Sequence, residues 1–245
     1  MIQLRVLADA GALAREAAAR VAEVIDARPD ALLLAPTGDT PMGCYAELAR
    51  LRRDGTLDTS RLRVAQLDEY RDTDRSNPPS LYGWMDRALL QPLGIDPARV
   101  IRFSADDPDP DRACREYDAR IEAAGGIDLA MLGLGLNGHL GFNEPPSDAD
   151  APTREVLLTP ESVESNRAYW DGASVPERAL TAGMTTILSA RRVLLIVSGS
   201  RKAPVLDRVL RSTPDPGLPA SHLHAHASAL ALADRAARPD VATEA

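Results

Sequence analysis

The chain has 245 residues, 44% of them apolar, and a formal net charge of −8. That length and apolar share suit one large α/β domain or two small ones with a sizeable core, and exclude a disordered chain. The negative balance argues against a non-specific nucleic-acid or membrane-surface binder, so any anionic ligand must be held by local groups.

In chain order, "IQLRVL" (2–7) is expected as a strand, and Leu13, Ala17, Val21, Val24 and Ile25 then recur at helical spacing. "ALLLA" (31–35) is a second strand, and 42–53 a helix with Met42, Tyr45, Leu48 and Ala49 on its apolar side. "RLRVAQL" (61–67), a helix near 81–90, "VIRF" (100–103) and a helix over 111–124 follow. "IDLAMLG" (127–133), "RRVLLIVSG" (191–199) and "ALALAD" (229–234) complete the strand candidates. Short, almost continuously apolar runs mark strands buried on both faces. Their alternation with helices predicts an α/β fold: a single-domain, Rossmann-like open sheet over 1–245, mostly parallel, with helices on both faces. The segments 104–110 and 212–220, rich in Pro, Asp and Ser, read as surface loops.

The start "MIQLRVLADAG" lacks the basic head and long apolar run of a signal peptide, and no run is long enough to span a membrane. Cys44 and Cys114 are far apart and form no CxxC pair, which suits reduced thiols packed as small core residues. A cytoplasmic protein is the expectation.

Ligands of open parallel sheets bind beyond the carboxyl ends of the strands. Four such loops carry chemistry here: Pro36-Thr37-Gly38-Asp39-Thr40-Pro41; Asp68-Glu69-Tyr70; "LGLNGHLGFNEP" with Asn137, His139, Asn143 and Glu144; and "SGSRKAP" with Ser198, Ser200, Arg201 and Lys202. Together they supply an anion loop, a carboxylate, a His/Glu pair and a cation, a set suited to acid–base chemistry on a small phosphorylated molecule.

Each has a plainer reading. Thr40 could simply cap a helix with Pro41 at its first position. Asp68-Glu69 could be a solvated turn, and Lys202 a solvated helix-start residue. The glycines at 133, 135 and 138 fit G-x-G-x-x-G, but no helix pattern follows them, so a dinucleotide site is rejected. "SHLHAHA" sets His222, His224 and His226 at alternate positions, yet no carboxylate or cysteine partner completes a metal site. Trp84 and Trp170 read as packing residues. The joint placement of the four loops carries the argument.

The stretches "LAPTGDTPMGCYAEL", "QLDEY", "SNPPSLYGWM", "IDLAMLGLGLNGHLGFNEP", "ESNRAYW", "ALTAGMTTILSARRVLLIVSGSRKA" and "SHLHAHASALALAD" resemble, in order, the glucosamine-6-phosphate deaminase (isomerase) family. "GHLGFNEP" is the most specific of them; the related 6-phosphogluconolactonases share the Gly-His loop but lack the Phe-Asn-Glu-Pro continuation. The resemblance implies conversion of an amino-sugar 6-phosphate to a ketose 6-phosphate and ammonia, without metal or organic cofactor. The implied partner is a small-molecule sugar phosphate, with no nucleic acid, no membrane and a possible homo-oligomer.

Carried over by resemblance, His139 moves the proton that opens the sugar ring. Asp68 takes the C2 proton and delivers it to C1, and Glu144 sets the state of His139. Thr37, Gly38 and Thr40 belong to the phosphate loop, with Arg167 and Lys202 as cations. Asn137 stands where some members have Asp; an amide can orient the imidazole but adds no charge, which predicts a lower-titrating His139. Asp39 replaces a small or neutral residue and is expected to face outward, to pair with a cation such as Arg201, or to contact a sugar hydroxyl. Val156 replaces a Lys that some members use for an effector, Arg154 remains, and the chain ends soon after "ALALAD". Hyperbolic kinetics without effector activation are therefore expected. The rivals are a galactosamine-6-phosphate deaminase, a lactonase of phosphorylated sugar acids and a sugar-phosphate sensor. A sensor would have no need of Asp68, His139 and Glu144 together, and no DNA-binding segment precedes Ile2.

Overall fold

A computed structural model describes residues 1–73, 79–167, 170, 174–238 and 240. Parts of two quoted motifs, 76–78 and 168–169, lie outside the described residues, as does the end of the chain, 241–245.

Seven strands form one parallel sheet: β1 (Gln3–Leu7), β2 (Leu32–Ala35), β3 (Arg63–Gln66), β5 (Val100–Ile101), β6 (Leu129–Gly133), β9 (Arg192–Val197) and β10 (Ala229–Asp234). Their order is β1-β10-β9-β6-β2-β3-β5, every pairing parallel. These are the seven strands expected from the apolar runs.

Alternation along each strand divides the core between two faces. Leu33, Ala35, Leu129, Met131, Leu194 and Ile196 face a layer made by α1 (Ala10–Ala27), α2 (Met42–Arg53) and α3 (Leu81–Met85), which continues as a π-helical turn to Leu90. Leu32, Leu34, Ala130, Leu132, Leu195 and Val197 face the layer of α4 (Pro110–Ala123), α6 (Met184–Leu188) and α7 (Ala203–Arg211). Asp9 caps α1 by accepting from the Ala12 N–H at 2.8 Å, and Asp109 caps α4 ahead of Pro110.

A second sheet stands apart from the apolar-run pattern. The strands β4 (Asp68–Tyr70), β8 (Arg178–Thr181) and β7 (Arg154–Leu157) pair antiparallel in the order β4-β8-β7. Residues 68–70 form a strand where a loop is expected, and 154–157 and 178–181 carry no predicted element, because three- and four-residue strands rich in charge leave no periodic signal. The partners of β4 lie more than a hundred residues away, and α5 (Pro160–Asn166) lies between β7 and β8 in the chain. Tyr70, Phe142, Leu158, Trp170, Val175 and Ala179 form a small separate core here, with the Tyr70 and Trp170 rings edge to face at 5.2 Å. Trp170 is thus the packing residue expected.

The strand order reverses between β2 and β6. From β2 the chain builds outward through β3 to β5, then returns beside β2 with β6 and builds the other way. The loops after β2 and β6 therefore part over a crevice, the usual ligand position in such sheets. Two buried phenols brace its floor: Tyr45 of α2 donates to Pro36 O at 2.7 Å, and Tyr117 of α4 donates to Gln66 O at 2.6 Å.

The second sheet meets the main fold at Gly183, where a Cβ would lie 2.2 Å from the Pro152 carbonyl carbon and 2.4 Å from Ala151 O. These are backbone atoms and cannot swing aside. Gly183→Ala is expected to destabilise the protein by about 1–3 kcal/mol, as overpacking does. Urea denaturation would read this as a lower midpoint at unchanged slope.

Candidate active site

The crevice opens into a cleft of about 750 Å³. Its walls come from all four loops singled out in the sequence: Thr37, Gly38, Asp39 and Thr40 after β2; Asp68 in β4; His139 after β6; and Lys202 after β9. Asn137, Glu144 and Arg167 do not line it.

Gly38 has φ +91°, a conformation that an L side chain adopts only with strain, and a Cβ there would meet nothing. The constraint is on the backbone, which turns to begin α2. Thr40 does not cap that helix, contrary to the plainer reading: Pro41 occupies the cap position, with no side-chain capping bond. Thr40 lines the cleft instead. Asp39 is exposed and also lines it, in keeping with an outward-facing side chain. Met42 is 43% exposed, and Cys44 takes its expected place on the buried side of α2.

Asp68 is buried at 7% exposure, and its Oδ1 finds no hydrogen-bond partner among the described residues. Burial, with the neighbouring Glu69 charge adding to it, pushes its carboxyl up to about 7. A carboxyl titrating near neutrality is poised to accept and return a proton.

His139 Nδ1 is likewise buried and unpartnered. It lies 4.0 Å from Glu144 Oε2, beyond hydrogen-bond reach but within electrostatic range. Burial lowers the imidazole pKa, Glu144 opposes that, and Lys202 adds to it. The direction agrees with the lower titration expected, although its first cause is desolvation. The ring fits because residue 135 is glycine: a Cβ there would lie 2.3 Å from His139 Cδ2.

The Asn137 amide makes no hydrogen bond to the imidazole Nδ1. Its Oδ1 accepts from the His139 backbone N–H at 3.1 Å, and its Nδ2 donates to Glu144 Oε2 at 2.8 Å. It orients His139 through the main chain and fixes Glu144 in the same gesture. Glu144 also accepts from Thr159 Oγ1 at 3.2 Å and from Ser162 Oγ. These two hydroxyls, at the start of α5, were missed in the sequence; the signal available was the Thr-Pro helix start, which Thr159 caps by accepting from the Ser162 N–H. Asn143 is structural: it donates to Leu140 O and Ala182 O, while its Oδ1 accepts from Arg154. Arg154 also donates to Ser147 Oγ and is already committed to this loop.

Lys202 is half-buried, and its Nζ donates to Leu134 O at 2.6 Å. Burial, with Arg201 adding like charge, holds it below the usual lysine range. It is not the solvated residue of the plainer reading, and Arg201 beside it lines the cleft as well. Arg167 is placed differently: its side chain is 65% exposed and pairs with Glu164 at 3.1 Å. Its neighbours Ser165 and Asn166 do line the cleft. So do Leu81, Trp84 and Arg87 of the α3 region, where the sequence gave Trp84 only a packing role.

Among the described residues, no group of histidines, cysteines and carboxylates could hold a metal ion, and no helix is long and apolar enough to cross a membrane. His222, His224 and His226 direct their Nε2 atoms to the carbonyls of Ser147, Val209 and Ala190 and pin the segment to three different neighbours. Both cysteines are free and buried, and burial raises their thiols to about 12 for Cys44 and about 11 for Cys114.

Fold and cleft together define an α/β protein with a polar cleft beyond the strand ends of a parallel sheet. A family described as glucosamine-6-phosphate isomerases/6-phosphogluconolactonase matches residues 7–232. Glucosamine-6-phosphate deaminases of Clostridium botulinum (strain Hall) and Halothermothrix orenii are 34% and 35% identical over 226 residues, 92% of this chain and 93% and 94% of theirs. A solved structure described as a monomeric glucosamine-6-phosphate deaminase of the NagB superfamily superposes with a TM-score of 0.94 at 33% identity, covering 97% of this chain and 99% of that one. The 6-phosphogluconolactonase of Trypanosoma brucei, at TM-score 0.77 and 21% identity over 99% of both chains, shares the fold. The chain belongs to the glucosamine-6-phosphate isomerase/6-phosphogluconolactonase family.

The raised Asp68 pKa has a consequence for stability. The folded protein holds this proton to about 7, whereas an unfolded Asp releases it near ~3.9. Between those values the folded state binds more protons, so stability falls as pH rises. Asp68→Asn is therefore expected to be more stable than the parent by about 1–3 kcal/mol above neutral pH, the gain vanishing toward pH ~4. Thermal melts of both proteins across that range measure it.

Proposed function

We propose that the chain is a glucosamine-6-phosphate deaminase, releasing ammonia and fructose 6-phosphate, with one domain over 1–245 as the working unit. The observation that carries this reading is the pair of buried, unpartnered polar atoms, Asp68 Oδ1 and His139 Nδ1, in a cleft that also holds the Gly38 loop and Lys202. Such atoms cost free energy unless a ligand satisfies them. Their burial in one cleft with Lys202 supports roles as a base and a proton carrier beside an anion-binding wall.

His139, kept neutral by burial, moves the proton at the ring oxygen as the sugar opens. Asp68 takes the proton from C2 of the open aldose and returns it to C1, since the two carbons are neighbours on one face. The resulting ketose imine adds water and loses ammonia, so the atoms balance. Glu144, held by Asn137, Thr159 and Ser162, steadies His139 electrostatically as it gains and gives up charge. The phosphate lies against the Thr37–Thr40 loop with Lys202. Arg167 reaches it by giving up Glu164, one residue beyond the cleft-lining Asn166. Arg supplies a fork and Lys a point charge to the same dianion.

Ammonia and ketose 6-phosphate formation across glucosamine 6-phosphate, galactosamine 6-phosphate and unphosphorylated glucosamine is the deciding assay. Turnover of the first substrate above the others is expected. Asp68→Asn should lose at least on the order of 10²-fold in kcat while remaining folded, because an amide cannot accept the C2 proton; near-parental turnover would remove Asp68 from the mechanism. Lys202→Ala should raise KM for the phosphorylated sugar far more than for the neutral one.

With Arg154 engaged at Asn143 and Ser147, hyperbolic rate curves unchanged by N-acetylglucosamine 6-phosphate are expected. A curve that turns from sigmoidal to hyperbolic on adding that compound would contradict this. A homo-oligomer stands as a proposal beside the monomer stated of the solved relative. Light scattering separates a particle of 26.3 kDa from its multiples.

A further inference from the structure

Glu69 has no part in the chemistry just described, yet it is among the most completely satisfied buried carboxylates of the chain. It is 3% exposed. Its Oε1 accepts from the N–H groups of Tyr70 and Leu81, each at 2.9 Å. Its Oε2 accepts from the Tyr82 N–H and from Gln66 Nε2, each at 2.8 Å. Gln66 is itself oriented, since its Oε1 accepts from the Phe103 N–H at 3.3 Å.

Two features of this arrangement point beyond simple packing. All four partners are donors. A protonated carboxyl would need an acceptor for its own hydrogen, and none of the four offers one; the four donors thus favour the ionised form against burial, which raises the Glu69 pKa. The donors also come from three separate pieces of structure: the end of β3, the strand β4 that carries Asp68, and the first turn of α3. That turn begins the wall of the cleft formed by Leu81, Trp84 and Arg87.

We propose that Glu69 is a positioning residue for the reaction: its carboxylate clamps the Asp68 strand to the α3 wall of the cleft and sets a fixed negative charge beside the base. The inference rests on the reading of Asp68 as that base. The clamp fixes the gap across which the substrate must lie between Asp68 and the wall, and a base misplaced by 1 Å costs on the order of 10²-fold in rate. The charge discourages a second ionisation nearby, as like charges in a desolvated site do. It agrees in direction with the raised proton affinity of Asp68, in which burial is the larger cause and Glu69 the next. The other groups around Asp68 differ in kind. Tyr45 of α2 and Tyr117 of α4 are buried phenols held well above their usual range, and so neutral, while His139, Lys202 and Arg87 line the same cleft from other elements.

Two variants separate the clamp from the charge. Glu69→Gln removes the charge and turns a donor toward donors. Glu69→Asp keeps the charge but withdraws it by one methylene from Leu81 and Tyr82. In Glu69→Gln the Asp68 carboxyl, followed by its 13C resonance, is expected to titrate about one unit lower than in the parent. The acidic limb of the kcat profile should move to lower pH with it, because Asp68 must be ionised to act. In Glu69→Asp the limb should stay near its parental pH while kcat falls on the order of 10–10²-fold, with KM changing less.

The resonance titration needs no substrate, so it judges the charge even if the parent fails to release ammonia, an outcome that would refute the deaminase reading instead. If Glu69→Gln does not fold, Glu69→Asp decides through its kcat. A variant that melts earlier but keeps the parental Asp68 titration, limb and kcat would show a merely structural Glu69 and overturn the proposal.

Discussion

Everything at the centre of this molecule is arranged around one costly fact: a carboxylate, Asp68, is taken out of water with one oxygen left unpaired. Burying an ionisable group without compensation shifts its pKa and subtracts from stability. The fold tolerates this because the surroundings are rigid. Tyr117 ties β3 to α4, Tyr45 ties the β2 loop to α2, and Glu69 is saturated by four donors next door. The strain is concentrated where the substrate would relieve it, the expected location for poorly satisfied polar groups in a stable domain.

The same economy governs charge. The chain carries a net −8, yet its cleft presents Lys202 and Arg201 beside the Gly38 loop. A local cation pair can dominate over a distant negative surface, because exposed charges beyond about 10 Å are screened while neighbouring charges in a half-buried cleft are not. Lys202 is held there by a backbone carbonyl, leaving its remaining donors for a ligand. Asp39, exposed in the same loop, also lines the cleft.

The second, antiparallel sheet gives the site its reach. The parallel sheet alone would bring together the loops after β2, β6 and β9. Asp68 is in β4, paired to β8, and Glu144 is fastened to the start of α5, just beyond β7. The small sheet thus joins Asp68, the helix that ends at Arg167 and the loop that carries His139 in one body. Arg154 strengthens that union through Asn143 and Ser147.

The sequence by itself determined the main sheet and the strand-end loops that supply part of the cleft wall. Strands buried on both faces must be apolar throughout, so their seven runs stand out, and loops at their carboxyl ends must carry the chemistry, so Asp68, His139 and Lys202 could be named from position alone. Tertiary structure alone decided what each polar group binds. That Asn137 holds the His139 main chain and not its ring, that Thr159 and Ser162 fasten Glu144, that three alternating histidines seek three different carbonyls, and that Arg167 turns to Glu164 are matters of side-chain direction and long-range approach. The short strands of the second sheet belong with them. A hydrogen bond between residues a hundred positions apart leaves no periodic trace in a chain, because period records burial along one element, and the partner is chosen only when elements meet.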